Sequence, residues 1–206
     1  SNGSIFRLEQ HVDRLLKSLP KVFIDLPMTR LELMAVAQDT LARNKYKEAI
    51  IRLTVTRGDT QSNIQIDSDI PPTLVVNIRA FAPLPKATYI KGVKIMLFQE
   101  RASLINGLDQ RLKSCNFLSY ILIKKLSDEK GFMDGVVVDP DFGVTEGTTS
   151  NVFIVKQGVV KTPPISRYVL EGITRQVVLE IARKHKIPFL EERITLEDLI
   201  KADEVF

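Results

Sequence analysis

The order of hydrophobic periods is what most restricts the fold of this chain. Two helical segments come first and short apolar strands follow in series, which points to an α+β or α/β architecture. Leu8, Val12, Leu15, Leu16 and Leu19 recur at the helical period until Pro20 closes the run. Thr29 and Glu32 stand at capping-box spacing ahead of Leu33, Met34, Ala37 and Leu41, which predicts a second helix. Ala49 to Thr56, Thr73 to Phe81 and Val93 to Phe98 then read as strands. Arg101 to Gln110 contains Asn106 and Gly107 and few periodic apolar positions, so it reads as a linker. The expected division is an N-terminal α+β domain over residues 1–102, a linker over 103–110 and a C-terminal domain over 111–206.

In the second half, Phe117 to Leu126 predicts a helix closed by Gly131. Gly135 to Asp139 and Val152 to Lys156 read as strands, and Gln157-Gly158 turns the chain into Val159 to Thr162 as a hairpin. Thr174 to His185 is an amphipathic helix, and Thr195 with Asp198 opens a short one reaching Ala202. The last residues, Asp203-Glu204-Val205-Phe206, read as a strand just beginning. The longest apolar run, Phe117 to Ile123, falls far short of the roughly 20 residues a membrane helix needs, so no membrane span is expected. A single cysteine excludes an intrachain disulfide and suits a reducing, cytoplasmic setting, while two scattered histidines make no zinc site. The net charge of +4 is mild. Its densest cluster, Arg183-Lys184-His185-Lys186, complements a helix C-terminus, and without aromatic partners it implies no nucleic acid.

Three segments carry residues suited to chemistry. Thr145-Glu146-Gly147-Thr148-Thr149-Ser150-Asn151-Val152-Phe153 sets one carboxylate among small hydroxyl and glycine residues before a strand. Glu146 suits the ring nitrogen of a pyridine cofactor, and Gly147, Thr148 and Thr149 would let a flat ring approach; taken alone, the segment reads first as an ordinary turn between strands. Leu170-Glu171-Gly172-Ile173-Thr174-Arg175 places a glycine and a threonine at a helix start, either a phosphate cradle or a plain N-cap by Thr174. Lys113, in Leu112-Lys113-Ser114-Cys115-Asn116-Phe117, is a nucleophile if its amine is neutral and otherwise an ordinary surface lysine. Arg14 on the first helix suits a phosphate as a forked donor. Arg52 sits inside Ile50-Ile51-Arg52-Leu53, which implies a buried ion pair or a pocket for a carboxylate. Cys115 reads as a small packing residue, and His11 and His185 as solvated side chains.

Together these residues resemble the class IV pyridoxal-phosphate aminotransferases, which include branched-chain aminotransferases, D-amino acid aminotransferases and aminodeoxychorismate lyase. The long family signature is met from Glu146 through Thr148, Asn151, Val152, Phe153, Val160, Thr162, Leu170, Gly172 and Ile173 to Arg175. Phe6-Arg7-Leu8-Glu9-Gln10-His11-Val12-Asp13-Arg14-Leu15 is similar to the family's first helix. The resemblance implies fold type IV, with a smaller N-terminal α+β domain, a larger β-rich α/β C-terminal domain and pyridoxal 5'-phosphate between them. It implies that Lys113 carries the cofactor covalently and shuttles the proton. Glu146 would face the ring nitrogen, Leu170 would pack against the ring, and Arg14, Gly172, Ile173 and Thr174 would hold the phosphate. Arg52 and Thr149 would lie on the substrate side. A homodimer is implied, with an amino acid and a 2-oxo acid as substrates. The family's N-terminal glycine-rich strand lies upstream of Ser1, and its Ser/Thr phosphate ligand lies beyond Phe206, so both domains are expected to be cut short here.

The cues to substrate conflict. Two residues between Lys113 and Asn116 are similar to the D-amino acid and lyase branches, whereas Ile51-Arg52-Leu53 and Thr56-Arg57-Gly58 resemble branched-chain members. Asp59-Thr60-Gln61-Ser62-Asn63 lacks the arginine and histidine that the D-amino acid enzymes carry there. The expectation is therefore a ping-pong aminotransferase of branched-chain or D-amino acid type. A lyase on the same scaffold and a non-catalytic cofactor-binding relative are the other readings.

Overall fold

The computed structural model describes residues 4–59, 66, 70–102, 109 and 111–206, and they fall into two compact units, Ser1–Pro85 and Lys86–Phe206. In the first unit, α1 (Leu8–Ser18) and α2 (Arg30–Arg43) precede β1 (Ala49–Thr56) and β2 (Thr73–Ala80). The capping box that opens α2 is present: Thr29 donates its backbone N–H to Glu32 Oε2 at 2.7 Å, and the Thr29 hydroxyl accepts from the Glu32 N–H. Leu8 and Val12 of α1 meet Leu33 and Ala37 of α2 in a buried core, against which Leu53 of β1 and Leu74 of β2 pack. The strands form an antiparallel ribbon in which Arg52 stands opposite Asn77. Arg52 is exposed, so the charge expected to be costly inside an apolar strand lies on the solvated side of the pleat.

The second unit contains α3 (Lys86–Lys91), β3 (Ile95–Gln99), α4 (Leu118–Glu129), β4 (Asp134–Asp139) and β5 (Gly143–Gly147). It continues with β6 (Ile154–Lys156), β7 (Val159–Thr162), α5 (Ile173–Lys184), β8 (Phe189–Glu191), α6 (Leu196–Ile200) and β9 (Glu204–Val205). One sheet has the order β3-β4-β5, with β3 parallel and β5 antiparallel to β4; the other has the order β8-β7-β6-β9. The central strand β4 is buried on both faces, which is why Gly135 to Asp139 reads as a continuous apolar run rather than an alternating one. On one face Val137 joins Ile123 of α4, with Phe98, Tyr120 and Tyr168 packed around them. On the other, Val136 and Val138 join Val144, Val152, Ile154, Ile194 and Leu199. Gln157 and Gly158 both have positive φ, 51° and 77°, the twist a two-residue hairpin needs to set Lys156 opposite Val159.

The division between the units falls earlier than the expected domain of residues 1–102, because β3 takes its hydrogen-bonding partner from β4 in the second unit. Of the expected linker at 103–110, residues 103–108 and 110 lie outside the described residues, as do Thr60 to Asn63. Among the described residues no helix is long and apolar enough to cross a membrane. No group of three or more His, Cys, Asp or Glu side chains there is placed to hold a metal ion.

Candidate active site

Glu146 lies near the end of β5, every residue of which is buried, and is itself 6% exposed. The alternative of a turn is therefore displaced by one position: Glu146 belongs to the strand, and the tight turn follows it, closed by a hydrogen bond from Gly147 N to Ser150 O at 2.8 Å. A carboxylate this deep is costly unless donors meet it. Tyr120 of α4 donates its hydroxyl to Oε1 at 2.7 Å, and the backbone N–H of Leu170 donates to Oε2 at 2.8 Å. Burial pushes the Glu146 carboxyl above its ordinary value of 4.5, while the Leu170 N–H, the Tyr120 hydroxyl and the positive charge of Lys113 pull it back less strongly. Lys113 is thus close enough for its charge to act on Glu146; its Nζ also lies 5.9 Å from the centre of the Phe117 ring. Cys115 beside it is exposed, not the packing residue its size and polarity suggest.

The segment that supplies the Leu170 N–H is itself pinned. Leu170 O accepts from Asn151 Nδ2 at 3.0 Å and from Gly172 N at 2.9 Å, and Asn151 forms an antiparallel bridge with Glu146. Gly172 has an ordinary φ of −71°, so its glycine is required by space and not by backbone conformation. A Cβ placed there would lie 2.0 Å from Asn151 Oδ1. Gly172 is also the N-cap of α5, which begins at Ile173 and has no side-chain cap bond. Thr174 is exposed and already within the helix, so the reading of it as the N-cap is corrected. A helix start without a side-chain cap is a place where an anion can bind.

The turn after Glu146 is held from below. Thr148 donates its hydroxyl to Asp134 Oδ1 at 2.6 Å, Gly135 N donates to the same oxygen at 2.8 Å, and Ser150 reaches Oδ2 at 3.5 Å. Thr149, at the tip, is exposed. Arg175, the last residue of the signature, is 3% exposed and ties α5 to β8 by donating Nη2 to Pro163 O at 2.9 Å and to Glu191 Oε2 at 2.8 Å.

The structure therefore gathers Glu146, Leu170 and Gly172 around one hydrogen-bonded seat, with Ile173 and Thr174 opening the adjoining helix and Lys113 acting on it through charge. Arg14 lies half-buried on α1 and Arg52 exposed on β1, both in the first unit. Tyr120 and Asp134 are functional candidates the sequence reading missed. The available signal for Tyr120 was a phenol inside the apolar run Phe117 to Ile123, where a hydroxyl needs a partner. The donor set fits pyridoxal phosphate: a buried acid for a ring nitrogen, a primary amine for an aldehyde, and an uncapped helix start for a phosphate.

The family model described as amino-transferase class IV matches residues 1–206. A Methanocaldococcus jannaschii protein provisionally assigned as a branched-chain-amino-acid aminotransferase is 36% identical over 205 residues, covering 100% of this chain and 70% of the relative. The D-alanine aminotransferase of Bacillus licheniformis is 31% identical over 205 residues, with the same 100% and 70% coverage. Among solved structures, the T.th. branched-chain amino acid aminotransferase with pyridoxamine 5'-phosphate superimposes with a TM-score of 0.88 at 27% identity, over 98% of this chain and 66% of that one.

Proposed function

The chain belongs to the class IV aminotransferases, enzymes of pyridoxal 5'-phosphate, and from that premise we propose that it moves an amino group between a small amino acid and a 2-oxo acid by a ping-pong mechanism. The observation that carries the reading is the buried Glu146, fixed by donors on both oxygens and lying within reach of the charge of Lys113. The cofactor supplies an electron sink for the pair left when the substrate α-proton departs. Lys113 would hold the cofactor through Nζ, and the same amine, when neutral, would be the base that takes and returns the substrate α-proton. Glu146 would face the ring nitrogen and keep it protonated, which would maintain the sink. Gly172, Ile173 and Thr174 would bind the phosphate at the start of α5 and Leu170 would pack against the ring, while Arg14, in the first unit, is a separate candidate for a phosphate as a forked donor. Thr149 is a candidate for the substrate, and Arg52, in the first unit, is a separate candidate for a carboxylate.

A homodimer in the cytoplasm completes the proposal. Leu118, Ile121, Leu122 and Leu126 form an exposed apolar stripe on α4, which supports contact with a second copy, and the one exposed cysteine suits a reducing compartment. The names of the relatives leave branched-chain and D-amino acids as the two donor classes to separate.

Reductive trapping tests the reading. The chain is incubated with pyridoxal phosphate, reduced with borohydride and mapped by mass spectrometry. A single phosphopyridoxyl group on Lys113, absent from Lys113→Ala, is the expected result, and amino exchange with L-leucine or D-alanine then assigns the donor. Label spread over surface lysines, or turnover by Lys113→Ala, refutes the assignment.

A further inference from the structure

The seat of Glu146 contains a side chain that the cofactor reading does not use. The ring of Tyr120 packs against the cluster of Ala102, Ile123 and Val137, and only its hydroxyl reaches the acid, 2.7 Å from Oε1. Oε2 is already taken by the Leu170 N–H, a backbone donor that cannot turn around. Both oxygens of Glu146 thus face fixed donors, and bonds to a charged carboxylate are stronger than bonds to the neutral acid, so the pair favours the ionised form. We propose that Tyr120 is a positioning residue for Glu146, whose hydroxyl holds the carboxylate ionised and in one orientation, leaving its remaining lone pairs for a protonated ring nitrogen. The importance of that last function rests on the reading of Glu146 as the ring-nitrogen partner.

Tyr120 shares this function with the Leu170 N–H, the stronger of the two donors, and is the one of the pair that a side-chain substitution can remove. Lys113 acts on Glu146 through its charge. On β4, Asp134 is engaged by Thr148, Gly135 and Ser150, and Asp139 by the N–H groups of Ala102, Asp141 and Phe142. On α6, which packs against β5, Asp198 accepts from Thr195 and Glu197 pairs with Lys201. Glu191 and Arg175 bond each other across α5 and β8.

Tyr120→Phe removes the hydroxyl and keeps the ring in its cluster. The titration of Glu146 is followed by carbon-13 NMR in the cofactor-free chain, with the resonance assigned from Glu146→Gln. Loss of a hydrogen bond to a charged group raises the Glu146 midpoint by about one pH unit, a tenfold change in the ratio of its two forms. In the cofactor-loaded enzyme the acid limb of the kcat/KM profile moves up by a similar amount. An unchanged midpoint in the cofactor-free chain overturns the proposal. A raised midpoint with no specific label on Lys113 keeps the tether and refutes the cofactor reading instead, so the two failures are told apart.

Discussion

Gly172→Ala isolates the packing that supports the acid. At φ −71° and ψ 136° alanine is sterically allowed, and stiffening the unfolded chain would by itself stabilise the protein by about 0.4–1 kcal/mol. The added methyl, however, would sit 2.0 Å from Asn151 Oδ1 and 3.2 Å from its Cγ, with the Arg175 Cβ at 3.5 Å. Asn151 must move, and its bond to Leu170 O is lost. That bond is worth about 1 kcal/mol, and overpacking a close-packed site adds about 1–3 kcal/mol. After the entropy gain the net destabilisation is about 2 kcal/mol, read as a fall in the urea midpoint at constant slope. Asn151→Ala alone costs about 1 kcal/mol, but in the Gly172→Ala background it opens the space the methyl needs. The double variant is therefore expected to be more stable than Gly172→Ala. Additive losses, or a Gly172→Ala protein as stable as the parent, would refute the argument that Gly172 is kept for the close approach of Asn151.

Glu146→Gln tests the cost of the buried charge. Because the folded-state pKa is raised above 4.5, Glu146 contributes stability below that value that is lost as pH rises through its folded midpoint. The stability of the parent relative to Glu146→Gln is expected to fall between acid and neutral pH, measured by urea unfolding at each pH; a constant difference contradicts the assigned direction. Arg175→Ala removes one partner of a tie whose arginine is buried, and is expected to cost about 3 kcal/mol in the same assay. Glu191→Gln should be costly as well, because it leaves the 3% exposed Arg175 guanidinium without its countercharge, whereas in Arg175→Ala water can reach the 36% exposed carboxylate.

The short-range features were legible in the sequence. Thr29 and Glu32, Thr195 and Asp198, and Gln157-Gly158 act within four residues of themselves, so their caps and hairpin follow from local chemistry. The helical periods of α1 and α5 and the length of the class IV signature likewise need no knowledge of the fold. What depends on distant partners was not legible. Ile95 to Gln99 joins the second unit only because it pairs in parallel with Asp134 to Asp139, about forty residues away, and nothing within β3 names that partner. Arg52 and Cys115 are exposed because of how their strand and loop are oriented, which composition cannot report. Glu146 was recognisable as a candidate acid, but its burial, and the donors that meet it, Tyr120 26 residues before and the N–H of Leu170 24 residues after, are set by the fold. The family follows from residue order alone. Which groups surround the acid follows from the fold, since a buried charge is governed by the donors that folding brings to it.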